Sequence, residues 1–470
     1  MFFKPRVGGA LADAKLQDVL TRFRFGFAEK RAAARASFGE DEFETLRVVA
    51  SQIRDRSLAQ LDAWLLRFEA EATKRGTKVL WAEDHAEARR LVLEICERHD
   101  LKKAIKSKSM VSEEAGLNAM LEANGVVPIE TDLGEYIIQL AGEPPSHIIA
   151  PAIHKSKEEV SDLFVEHHKR PRLTEHAALT REARDGLRGH FLSADLGISG
   201  ANVLVAETGS IALVTNEGNG RMVTTMPRVH VAITGIEKVI PTLEDLSTLN
   251  RLLARSATGQ EISNYFSVIT GPRREGDLDG PEHHYVILVD AGRTKFLGTD
   301  MQEMLRCIRC GACMNHCPVY QSIGGHPYGW VYPGPIGSIL TPMYAGLENA
   351  HPLPAASTLC NQCGVVCPVK IPLPDLQRKL RERTFERRLA PWSERAALRL
   401  WSWVAARPAL YGASMRVVAR LLRIWGGRER RIRRLPPGGG WTAGRDLPAP
   451  DGRTFREQYA ARRRAGGKPR

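Results

Sequence analysis

Seven of the chain's 8 cysteines stand between positions 307 and 367, and only Cys96 lies outside. Disulfides that staple a secreted domain are not crowded in this way, whereas reduced thiolates that hold metal are. The first group reads Cys307-x-x-Cys310-x-x-Cys313-x-x-x-Cys317-Pro318. This is the spacing that holds paired [4Fe-4S] clusters, three cysteines serving one cluster and the fourth its neighbour. Closely spaced thiolates on a turning backbone meet three irons at corners of one cube. The cysteine before proline then leaves on a segment headed elsewhere. A single zinc ion takes four ligands and has no use for a four-cysteine run followed by a second set.

The second group is Cys360-x-x-Cys363-x-x-x-Cys367-Pro368, one cysteine short. Aligned from the Cys-Pro end, Cys363 falls opposite Cys313, Cys360 opposite Cys310, and Ser357 opposite Cys307. The exchange rule then assigns Cys307, Cys310, Cys313 and Cys367 to cluster one, and Cys317, Cys360 and Cys363 to cluster two. Ser357 is a candidate for the fourth iron of cluster two, although a serine oxygen binds less readily than thiolate at neutral pH. A plain loop serine beside a three-iron or water-capped cluster is the alternative. Cys96, on the apolar side of an expected helix, reads as a buried structural thiol.

Around this segment the chain divides into four parts. Residues 1–72 read as a helical cover, with Leu58, Leu61, Leu65 and Phe68 at helical spacing. Residues 73–292 alternate strand and helix, which predicts a parallel α/β sheet. The expected strands are Lys78–Ala82, Ala104–Ile105, Val126–Ile129 and His147–Ala150. Two β-rich runs, Asn202–Ala206 and Ile211–Thr215, flank a tight turn and predict a hairpin. Residues 296–385 form the cluster domain, with helical flanks at Met301–Leu305 and Leu373–Leu380. Its Gly/Pro-rich stretch Gly324–Pro335 either wraps as an ordered loop or leaves the domain. Residues 386–470 mix tryptophan, aliphatic residues and arginine, and the last thirty are expected to lack order.

A length of 470 residues and a hydrophobic content of 43% leave ample material for buried cores. The formal charge is +13, much of it in arginines after Arg423. An aromatic content of 7% and the lack of a zinc-finger or helix-turn-helix signature argue against nucleic acid as the partner. An acidic protein or an anionic membrane surface fits better. No apolar run reaches signal-peptide or membrane-spanning length, so the expected location is cytoplasmic. The Trp/Arg helices could hold the chain peripherally at the inner face of the membrane, near quinone, or simply pack against protein. The Gly-rich turns lack the G-x-G-x-x-G spacing, so no flavin or nicotinamide site is expected.

Several polar residues gather at the Gly-rich turns of the α/β part: Asn202, Glu207, Asn216, Glu217, Asn219 and Arg221. Arg221 with amides such as Asn216 could grip a small carboxylate through paired hydrogen bonds, assisted by Lys106 and Lys108 at a strand end. Alternatively, these residues only satisfy turn and strand-end backbone groups. His147, His154 and His230 read as structural histidines.

The segments Lys106–Met110, Glu130–Glu135, Pro151–Lys155, Ala206–Ser210, Thr215–Arg221, Gly235–Lys238 and Tyr332–Gly337 carry a resemblance to the lactate utilization protein B family. It runs from about residue 40 to 400 and includes the second motif with its serine. Where the family often has Gly-Ala between the paired cysteines, this chain has Asn361-Gln362. The resemblance implies a LUD-type α/β domain of the sugar-phosphate isomerase and CoA-transferase class (NagB/RpiA-like), followed by an α-helical ferredoxin domain with two [4Fe-4S] clusters. It implies an electron-transfer subunit in the oxidation of L-lactate to pyruvate, partnered by a second cysteine-rich iron–sulfur protein and a second LUD-domain protein. In CoA transferases of this fold a glutamate is the nucleophile, for which Glu207 is the candidate. A transferase or isomerase with structural clusters is therefore the second reading.

Overall fold

The computed structural model describes residues 3–263, 265–435, 442 and 445–465. Ten strands build the α/β region: β1 (Lys78–Ala82), β2 (Lys103–Lys106), β3 (Val127–Glu130), β4 (Leu196–Ser199), β5 (Val203–Val205), β6 (Ser210–Thr215), β7 (Val229–Gly235), β8 (Val239–Ile240), β9 (Tyr265–Ile269) and β10 (His283–Val289). Six form one parallel sheet in the order β1-β10-β7-β4-β2-β3. The central strands β4 and β7 are buried along their whole length, as expected of a parallel sheet covered on both faces. One face packs on Val92, Ile95 and Cys96 of helix His85–Arg98, together with Leu117 and Leu121. Part of the other face packs on Leu61, Leu65 and Phe68 of helix Leu61–Lys74.

The expected hairpin is present as antiparallel β5 and β6, within a second sheet of order β8-β5-β6-β9. Its turn needs Gly209, which has φ +62° and sits so close to the preceding helix that a Cβ would lie 2.1 Å from Ala72 N. The fourth strand expected at His147–Ala150 is instead a bend. His147 Nδ1 accepts the N–H groups of Ile149 and Ala150, at 3.0 and 3.1 Å, and curls the chain before a ladder can form. Strands β4, β7 and β10 supply the sheet centre in its place.

The helices before residue 75 touch more than the α/β sheets. Helix Glu40–Ala59 buries Phe43, Arg47, Ala50, Arg54 and Leu58 on one stripe. Its two arginines reach the carbonyls of Cys367 and Leu305. The Gly/Pro-rich stretch is an ordered loop packed on the α/β region. Tyr328 and Tyr332 are fully buried, and Tyr332 donates its hydroxyl to Glu114. Met301–Leu305 falls on a 3₁₀ turn, Gln302–Arg306, and the later flank is the α-helix Leu373–Glu386.

Residues Phe385–Arg470 form a separate compact unit. It holds helices Trp392–Ala405 and Pro408–Trp425, a short ladder of Arg431–Ile432 with Leu447–Pro448, and helix Phe455–Arg464. The absence of order expected for the last thirty residues is corrected for the described part. Thr454 and Glu457 close a capping box that starts the last helix. Residues 441, 443, 444 and 466–470 lie outside the described residues.

Candidate iron–sulfur centre and the cavity beside it

Both cysteine groups are built by the same local backbone. Arg309 and Gly311 flank Cys310 with φ of 60° and 73°, and Leu359 and Asn361 flank Cys360 with 58° and 63°. Two left-handed residues around one cysteine wind the chain tightly enough to turn successive thiols inward. Asn361 in place of a glycine is therefore tolerated, because asparagine is among the few L-residues that adopt this conformation readily. Short helices then carry Cys313 (Ala312–Asn315) and Cys363 (Gln362–Val366), after which Cys317 and Cys367 exit before proline.

The sulfurs sort into two neighbourhoods. Cys310 feels the thiols of Cys367 and Cys307, and Cys313, which stands where the two groups meet, feels Cys310, Cys307, Cys363 and Cys367. Cys317 feels Cys360, and Cys363 feels Cys317 and Cys360. One cysteine from each motif thus sits in the other motif's neighbourhood. Among the described residues no three of these sulfurs lie within 4.8 Å of one another. A tetrahedral zinc ion about 2.3 Å from each thiolate would draw them to about 3.8 Å. The thiols are therefore not drawn together around a single ion.

Six of the seven cysteines are buried, and Cys360 is exposed. Burial pushes the Cys310 and Cys363 thiols up to about 12 and Cys367 to about 11. Such crowded thiols become thiolates only against a cationic partner, which the iron of a cluster supplies. Backbone N–H groups are ready for them: Arg309 N lies 3.4 Å from Cys307 Sγ, and Ile371 N 3.4 Å from Cys367 Sγ. Cations gather around the first neighbourhood. Arg47 donates to Cys367 O at 2.8 Å, Arg31 to Val366 O at 2.9 Å, and Lys238 and Arg309 to Cys307 O at 3.4 Å. The second has the exposed Cys360, whose thiol is lowered by the Thr358 hydroxyl and the Gln362 N–H. Ser357 Oγ accepts the Leu359 N–H at 3.1 Å, and Ser357 O accepts from Arg381 at 2.7 Å.

A cavity of about 260 Å³ opens where the α/β region meets the first cysteine group, and Arg309 and Cys310 line it. Lys108, Asn202, Asn216 and Gln260 supply polar walls. Asn216 Nδ2 donates to Gln260 Oε1 at 3.0 Å, and Asn202 Oδ1 accepts the Val214 N–H at 2.9 Å. Glu217 also lines it, its carboxyl pushed up to about 7 by burial and by Asp132.

Of the sequence candidates, Lys108, Asn202, Asn216, Glu217 and Asn219 line this cavity, and Glu207, Arg221 and Lys106 do not. Glu207 is exposed at the far end of the hairpin from Asn202 and Val214, where its Oε2 accepts the Leu243 N–H at 3.0 Å. It caps a helix there. Arg221 is exposed, lying over the Tyr265 ring at 5.4 Å. Lys106 is sealed in a buried ion pair, its Nζ 2.5 Å from Glu130 Oε1. The polar group proposed from the turns is therefore divided, and Lys108 rather than Lys106 serves the cavity. His230 pairs with Ser199 at 2.8 Å inside the sheet. His154 pairs with Glu143 at 2.8 Å, and Lys155 already neutralises that carboxylate at 2.5 Å. Arg31, Arg54, Lys238 and Arg309 went unnoticed in the sequence. One signal was available for Arg47 and Arg54: they interrupt an otherwise apolar stripe.

Comparison with known proteins divides the chain in the same terms. The LUD domain family matches residues 65–289, the 4Fe-4S dicluster domain 303–371, and the C-terminal domain of lactate utilisation protein B 376–464. Lactate utilization protein B of Shouchella clausii is 42% identical over 466 residues, covering 99% of this chain and 98% of that one. The protein of the same name from Geobacillus kaustophilus is 43% identical over 427 residues, 90% of each chain. The uncharacterized electron transport protein YkgF of Escherichia coli is 40% identical over 450 residues, 95% of this chain and 94% of that one.

Proposed function

The chain belongs to the lactate utilization protein B family, and on that basis we propose that it is the iron–sulfur electron carrier of a complex that oxidises L-lactate to pyruvate. The observation that carries this reading is the sorting of the sulfurs. It supports four thiolate ligands for cluster one, from Cys307, Cys310, Cys313 and Cys367, and three for cluster two, from Cys317, Cys360 and Cys363. Ser357, at the position matching Cys307, remains the candidate for the fourth iron of cluster two. Each bound cluster supplies a one-electron relay, and lactate oxidation releases two electrons. The polypeptide buries six of the seven thiols, directs N–H groups at the sulfurs and surrounds cluster one with arginine, which raises its potential relative to cluster two. The partners are a second cysteine-rich iron–sulfur protein and a second LUD-domain protein. The transferase reading loses support, because Glu207 caps a helix on the surface. Anaerobic EPR tests the electron-carrier role. Cluster signals are expected to appear on adding L-lactate to the chain together with both partners. Clusters that stay oxidised in that mixture would refute it.

The C-terminal unit points to where the carrier works. Residues 385–470 hold 21 basic and 6 acidic side chains, a formal +15 against +13 for the whole chain. From Arg395 to Arg428 there are seven arginines and no acidic residue. On helix Pro408–Trp425, Arg416, Arg420 and Arg423 share one stripe, beside exposed Val417, Leu421 and Ile424. Trp392, Trp401 and Trp403 are more than half exposed on the preceding helix. Arginine beside exposed tryptophan and aliphatic side chains is the chemistry of a helix lying in an anionic lipid interface. Among the described residues no helix is long and apolar enough to cross a membrane. The full chain is expected to float with vesicles of phosphatidylcholine and phosphatidylglycerol, but not with phosphatidylcholine alone. At ~1 kcal/mol per arginine near the surface, neutralising Arg416, Arg420 and Arg423 to glutamine should weaken binding by roughly 100-fold. Equal binding to both vesicles would show that charge plays no part, and binding to neither would assign the face to protein.

A further inference from the structure

Three donor atoms that line the cavity beside Cys310 make no hydrogen bond. Lys108 Nζ, Ser263 Oγ and Arg309 Nε are each enclosed without a hydrogen-bond partner. Buried donors are left unpaired at a cost, so three of them converging on one cavity call for an acceptor. Lys108 has an ionic neighbour in Glu135 Oε1 at 3.3 Å, and Arg309 uses its terminal nitrogens on Glu237 Oε1 and Cys307 O, at 3.3 and 3.4 Å, which leaves its Nε over. The acceptor that suits two cations and a hydroxyl is an anion.

Size and charge narrow its class. At about 260 Å³ the cavity falls below the range of sites for drug-sized ligands and suits an acid of a few carbons. Asp132 and Glu217 on the wall disfavour a dianion such as phosphate. The amide N–H groups of Asn202 and Gln260 can donate to a second oxygen on the ligand. We propose that this cavity binds a small monocarboxylate carrying a hydroxyl or oxo group at C2, with its carboxylate on Lys108 and its C2 oxygen on the amides, beside the cluster ligand Cys310. The inference deepens the electron-carrier reading by giving this chain its own acid-binding site, built jointly by the α/β region and the first cysteine motif.

Calorimetry on the anaerobic, cluster-loaded full chain tests it, with pyruvate, L-lactate, propanoate and inorganic phosphate as the probes. Pyruvate and L-lactate should bind, propanoate more weakly for want of the C2 oxygen, and phosphate least. Lys108→Met removes a charge-assisted bond and should weaken pyruvate binding about 10- to 100-fold. Gln260→Leu, at the half-buried rim, should weaken it severalfold while leaving propanoate unchanged. Iron content and thermal midpoint report whether either variant is misfolded. Absence of heat with any monocarboxylate overturns the site, as does phosphate binding tighter than pyruvate or undiminished affinity in both variants. Lactate-dependent cluster reduction with partners, seen alongside no binding here, would overturn the site and leave the electron-carrier reading standing. Binding without reduction would do the reverse.

Discussion

Cys367→Ala is expected to abolish the same iron centre as Cys307→Ala, although the two residues belong to different motifs. Each variant should keep about half of the iron and lose one of two reduced EPR signals, and the surviving signal should be common to both. Cys360→Ala and Cys317→Ala should form the complementary pair. The physical ground is the crossing of the chain. Cys367 lies in the neighbourhood of Cys307 and Cys310, with Arg47 on its carbonyl, whereas Cys317 lies near Cys360 and Cys363. The cluster-two pair should also lose its iron faster in air, because Cys360 is exposed and the proposed ligand set of that site has only three thiolates. A Cys367→Ala protein that loses the Cys360-dependent signal would show that each motif binds its own cluster.

How much of this was legible beforehand depends on whether the determining partner lies nearby in sequence. The cysteine spacing was readable because a cluster constrains ligands three and four residues apart. Crossing followed from the Cys-Pro exits alone. The hairpin was readable for the same reason, since its turn is local. His147–Ala150 was misread because an apolar run beside histidine fits a strand, and the imidazole that bends it left no periodic mark. Glu207 and Arg221 were grouped with Asn216 because all lie close along the chain. The hairpin separates them: β5 and β6 carry Glu207 to one end and Asn216 to the other. Arg31 and Arg47, beside the first group of sulfurs, bind the backbone carbonyls of Val366 and Cys367, more than three hundred residues away. A carbonyl carries no residue identity, so nothing in the sequence marks it as a partner.

The largest stability effect is expected at Arg293, which lies between the α/β region and the cysteine segment. Its side chain is wholly buried and donates to both Glu114 oxygens, at 2.9 and 2.8 Å, and to Glu237 Oε2 at 2.8 Å. It also lies 4.8 Å from the centre of the Tyr344 ring, and Glu114 accepts from Tyr332. Arg293→Met retains bulk but leaves two buried carboxylates facing one another, a change that costs about 3–5 kcal/mol in comparable buried pairs. The pH dependence distinguishes this cause from lost packing. Burial alone would raise the Glu114 carboxyl, and Arg293, with help from His85 and Tyr332, holds it instead at about 2. In the parent its contribution is therefore fully present above the ordinary carboxylate range and fades only as pH falls toward about 2. Without Arg293 burial prevails and the carboxyl rises above its unfolded value, so the variant gains stability as pH falls and loses it as pH rises. Denaturant unfolding of iron-loaded protein should accordingly show a larger deficit at pH 8 than at pH 5.5. A deficit of equal size at both would mean that Arg293 acts through its packing on Tyr344, and that the ion pairs contribute nothing net.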